Sequence, residues 1–62
     1  MDVEISNQGT IVLMTPLTGE AAAWLGEHLP SDATFLDASV VVEHRFADDI
    51  IADMRRDGLA VG

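Results

Sequence analysis

His28 and His44 are the only imidazoles in this 62-residue chain, and each directly follows a glutamate. Imidazole beside carboxylate is the raw material of a metal site or an acid–base pair, but the spacing serves neither well. Two ligands on one helix face need i, i+4 separation, and no His-Glu-x-x-His run is present. His44 and Asp48 do stand four apart, yet two ligands make a weak site, so no metal is expected. Ser6, Ser31 and Ser39 lack the Gly-x-Ser-x-Gly setting of an activated nucleophile. The five glycines stand apart, so no phosphate-cradling loop forms. Without cysteine there is neither a disulfide framework nor a thiolate metal site. Paired carboxylates remain, but so short a chain has little room for a pocket that excludes water. The expectation is a non-enzymatic protein that needs no cofactor.

What the chain has in quantity is carboxylate. Eleven Asp and Glu face three Arg and no Lys, a net charge of −8. The balance is −7 over residues 1–44, which hold no Lys or Arg, and −1 over residues 45–62. Such a surface repels phosphate, so direct contact with nucleic acid or an anionic membrane is not expected. It attracts a basic groove, and faster at low salt. The competing reading is solubility alone. No apolar run approaches the roughly 18 residues of a membrane span. The start, Met1-Asp2-Val3-Glu4, is acidic where a secretory signal is basic, so a soluble cytoplasmic domain is expected.

The elements that must carry these groups follow from periodicity. Val3-Glu4-Ile5-Ser6 alternates and predicts a strand over about 2–6, and β-branched residues predict another over about 10–14. Asn7-Gln8-Gly9 supplies the turn between them. Thr18 reads as the N-cap of a helix over about 18–29, with Glu20 in its first turn and Pro30 as its stop. Ala21, Trp24 and Leu25 share its apolar face. Residues 33–43 read as one longer strand. A turn or bulge at Asp37-Ala38-Ser39 is the alternative, and would split it in two. Phe46, Ala47, Ile50, Ile51 and Met54 form an apolar stripe on a second helix over about 45–57, with Phe46 and Met54 as core. Gly58-Leu59 reads as a left-handed cap, and residues 60–62 as a loose tail.

The order β-β-α-β-α implies one α+β domain of two layers. A three-stranded antiparallel sheet has the first strand central and both helices on one face. A right-handed crossover returns the third strand parallel to the second. Two helices leave the other face open. There Asp2, Glu4 and Ser6 project from the first strand, and Phe35, Asp37, Ser39, Val41 and Glu43 from the third. From the second, either Ile11 and Leu13 or Val12 and Met14 must join them. Carboxylates around apolar side chains suit a protein interface. Asp49, Asp53 and Asp57 at i, i+4, i+8 make a second acidic stripe, in which Arg56 can pair with Asp53.

The stretches Gly9-Thr10-Ile11-Val12-Leu13-Met14-Thr15-Pro16-Leu17-Thr18, Ala23-Trp24-Leu25, Val42-Glu43-His44-Arg45-Phe46 and Asp57-Gly58-Leu59 resemble short uncharacterised proteins of bacteria and their mobile elements. That resemblance carries no activity or functional residues. In size, acidity and lack of a catalytic motif the chain also resembles the anti-CRISPR proteins of phages. Several of these present carboxylates where a Cas protein expects DNA phosphates. This profile implies an inhibitor that occupies a basic nucleic-acid-binding groove, as a monomer or weak homodimer. Its contacts are expected from Asp2, Glu4, Asp37, Glu43, Asp49, Asp53 and Asp57, with apolar support from Phe35 and Val41. The rival is a non-catalytic assembly module that dimerises, or joins a larger complex, through the open sheet face.

Overall fold

The computed structural model describes residues 1–29 and 33–62. Pro30, the expected stop of the first helix, lies outside the described residues. The order is β1 (Val3–Asn7), β2 (Ile11–Pro16), α1 (Gly19–His28), β3 (Thr34–Leu36), β4 (Ser39–Glu43) and α2 (His44–Arg56). The α+β class and the antiparallel sheet are as expected. The sheet, however, has four strands in the order β1-β2-β4-β3, rather than three with the first in the centre.

One turn accounts for both corrections. Asp37 takes φ 55, a left-handed conformation open to aspartate at modest cost, and the chain reverses over Asp37-Ala38. Leu36 then pairs with Ser39 and Phe35 with Val40, so the expected single strand becomes a hairpin. Its returning half, β4, pairs antiparallel with β2, which therefore sits between β1 and β4. The expected parallel relation survives only at a distance: β3 runs in the direction of β2 with β4 between them. The first hairpin follows local rules. Gly9 has φ 92, its N–H donates to Asn7 Oδ1 at 2.9 Å, and the Gln8 N–H donates to the Ile11 carbonyl.

Both helices lie against one face of the sheet. Val3, Val12, Met14, Val40 and Val42 point inward from the strands to meet Ala21, Trp24 and Leu25 of α1 and Ala47 and Met54 of α2. The choice that β2 left open is thus settled, with Val12 and Met14 inside and Ile11 and Leu13 outside. The Thr18 hydroxyl accepts the Ala21 N–H at 3.1 Å and caps α1 as read from the sequence. At the end of α2, Gly58 has φ 95. The Gly58 N–H reaches the Arg55 carbonyl and the Leu59 N–H that of Met54, which places Leu59 in the core.

Residues 60–62 are not a loose tail. Buried Leu59 delivers them to the free side of β1, where Val61 bridges to Val3 in parallel. The N–H groups of Asp2 and Val3 donate to the Ala60 carbonyl, that of Ile5 to Gly62, and that of Gly62 to Val3. Backbone groups along a sheet edge need partners, and the chain supplies its own.

Candidate functional site

Strand register assigns the side chains of the uncovered face. Across β1 and β2, Glu4 stands opposite Thr15 and Ser6 opposite Leu13. Across β2 and β4, Leu13 stands opposite Val41 and Ile11 opposite Glu43. Across β4 and β3, Thr34 pairs with Val41 and Leu36 with Ser39. Pairs directly opposite share a face, so Ile11, Leu13, Val41 and Leu36 form an apolar strip with no helix over it. Beside the Leu13–Val41 pair, Thr15 and Ser39 are joined by a 2.6 Å hydroxyl–hydroxyl hydrogen bond. Glu4 and Glu43 stand at the margins of the strip, both exposed.

The nine residues singled out in the sequence do not gather into one patch. Glu4, Val41 and Glu43 share the open face. Phe35 was expected beside them, but its register with Val40 turns it to the helix side, where it is 65% exposed at the sheet edge. The turn at Asp37 is the reason, since it exchanges the two faces of β3. Asp37 itself occupies that turn.

Asp2 is engaged in holding the fold. Its carboxylate accepts the Ala60 N–H at 2.8 Å and the Thr18 hydroxyl at 3.0 Å, tying residues 60–62 to the N-cap of α1. Those two donors, the backbone N–H first, hold its carboxyl below the ordinary value of 3.8. Asp57 is also engaged. It accepts the Trp24 indole N–H at 2.7 Å, and His28 Nε2 lies 3.9 Å from the same oxygen. His28 stacks on Trp24 with ring centroids 3.9 Å apart and bonds the Trp24 carbonyl through Nδ1. This cluster joins the C-terminal ends of the two helices. Asp53 pairs with Arg56 at 3.0 Å, as the i, i+3 spacing predicts.

Between the helices, on the side opposite the open face, lies a groove of about 470 Å³. Val40 and Val42 form its floor, Trp24, His28 and Leu29 one wall, and Phe46 and Ile50 the other. Asp49, Asp53 and Glu43 stand on its margin. Phe46, expected in the core from its place in the apolar stripe, instead faces this groove and is 48% exposed. Met54 is fully buried, as expected.

Sequence reasoning missed Leu36 as an outward residue and left Ile11 and Leu13 undecided. The signal for Leu36 was the turn-forming Asp37 that follows it. Among the described residues, no three His, Asp or Glu come together in a manner that could hold a metal ion, and no helix is long and apolar enough to cross a membrane. Compared with protein-family models, curated proteins and solved structures, the chain matches none.

Proposed function

We propose that this protein is a small non-catalytic interaction module that binds another protein through the uncovered face of its sheet. The observation that carries this reading is the strip formed by Ile11, Leu13, Val41 and Leu36 across three strands, flanked by Glu4 and Glu43. An apolar centre with a charged margin is how protein interfaces are built. The margin is acidic and the chain carries −8, so the partner presents apolar residues framed by Arg or Lys.

Imitation of a nucleic acid is less well supported than it was by charge alone. That mechanism needs one array of free carboxylates. Here Asp2 and Asp57 are committed to internal hydrogen bonds, Asp37 lies in a turn, Glu43 and Asp53 pair with Arg45 and Arg56, and Asp49 and Asp53 stand on the groove between the helices, away from Glu4.

The test is parallel affinity capture from a bacterial lysate with the wild-type chain, Leu13→Lys and Asp49→Lys. The expected result is a protein held by the wild type and Asp49→Lys, lost with Leu13→Lys, and released by salt. The same proteins held equally by all three would overturn the reading. Elution by a short DNA duplex would show that the partner surface is a nucleic-acid groove and restore the inhibitor reading. A solution mass of twice 6.6 kDa that Leu13→Lys halves would make the partner a second copy.

A further inference from the structure

The groove between the helices opens on the other side of the sheet and meets the surface just proposed only at Val41 and Glu43. Its lining is apolar at the centre, with Trp24, Phe46 and Ile50 around a valine floor. A helix residue in a core-facing stripe is normally covered, yet Phe46 is 48% exposed at the cleft, where the Arg45 guanidinium stands over its ring 4.7 Å from the centroid and leaves the rest of the side chain open. The cleft is of the size that holds ligands and anchoring side chains.

Charge distinguishes the possible occupants. Three carboxylates, Glu43, Asp49 and Asp53, border the groove, and among its described lining residues His28 is the only basic group. Arg45 and Arg56 reach Glu43 and Asp53 through exposed pairs at 3.2 and 3.0 Å, contacts that water competes for. Among the described residues Asp49 has no ion-pair partner. The chain's own cations are three arginines, all on α2. A second copy thus offers no separate basic segment to lay into the cleft.

We infer that this groove is a binding site for a peptide segment of another protein, one in which a large apolar side chain is flanked by Arg or Lys. The apolar anchor enters beside Phe46 and Ile50, and the flanking cations meet Asp49 and Asp53.

Trp24 is the only tryptophan and lines the groove, so its emission reports occupancy. The probe is the acetylated, amidated hexapeptide Lys-Arg-Leu-Phe-Arg-Lys, with a counterpart carrying Glu at every basic position. The basic peptide is expected to shift Trp24 emission saturably and to bind roughly tenfold more weakly when salt rises from about 0.05 to about 0.5 M. The acidic peptide is expected to do nothing. Asp49→Lys combined with Asp53→Lys should weaken binding about tenfold or more, while Leu13→Lys on the opposite face leaves it unchanged. Phe46→Ser, at an exposed position, gives a second variant that removes the anchor contact without disturbing the core. No saturable change up to about millimolar peptide, an equal response to the acidic peptide, or unaltered binding by the Asp49/Asp53 variant would overturn the inference.

Discussion

At the β1 side of the sheet the chain's own residues 60–62 fill the edge, whereas at the β3 side Thr34, Phe35 and Leu36 stand exposed, with no further strand among the described residues. The two edges show two ways of managing unpaired backbone. The first is covered by residues 60–62, delivered by the Gly58-Leu59 cap and clasped by Asp2. The second is kept to three residues and ends at a charged turn, which limits what can pair with it. Covering an edge needs an anchor in the core, and Leu59 is that anchor. Shortening one needs only a turn, which here requires positive φ of Asp37.

The strongest challenge to this contrast is Leu59→Ala. Removing a buried leucine side chain should cost about 2–4 kcal/mol. For a domain of this size that is a large share of a total of roughly 3–9 kcal/mol. Urea denaturation would measure the loss. Amide exchange should accelerate at Val3 and Ile5, whose N–H groups bond Ala60 and Gly62, more than at Val12 or Val42. Uniform acceleration would mean that the closed edge is no separate device.

A smaller effect is expected from Asp2→Ala, and it should depend on pH. The Asp2 carboxyl is held below its ordinary value in the folded chain by the Ala60 N–H and the Thr18 hydroxyl. Its contribution is therefore complete above the ordinary unfolded value of 3.8 and is lost as pH falls through the lower folded value. The stability gap between wild type and variant should be constant from about pH 5 to pH 8 and close on further acidification. A gap that persists in acid would show that the carboxylate is not what clasps the edge.

The smallest effect is a gain. Asp37→Gly removes the cost of a side chain at φ 55 and should raise stability by about 0.5–1 kcal/mol, read from the thermal midpoint. A loss instead would show that the Asp37 carboxylate supports the hairpin by more than its backbone strain costs.

What could be read in advance was local. Thr18 as a cap, the Gly58-Leu59 motif and the Asp53–Arg56 pair each depend on residues within five positions, and all three are as the spacing indicated. The outward direction of Glu4, Val41 and Glu43 was also legible, because β1 and β4 alternate. The roles of Asp2 and Asp57 were not. Their partners lie 58 and 33 residues away, and no periodicity carries that information. Phe46 stood in a sound helical stripe, but periodicity shows which face points inward and not whether the facing layer reaches it. The sheet order turned on one two-residue reversal without glycine or asparagine, the residues that most plainly mark such a turn.

The parallel pairing of β1 with residues 60–62 has a mechanical consequence. Tension applied to the first and last residues would draw the two segments along one another. The four main-chain bonds between them, together with the Asp2 clasp, would then be loaded in shear and not opened one at a time. An antiparallel arrangement of the same residues would unzip from one end. The fold thus places its resistance to such a pull in the pairing of residues 2–5 with 60–62.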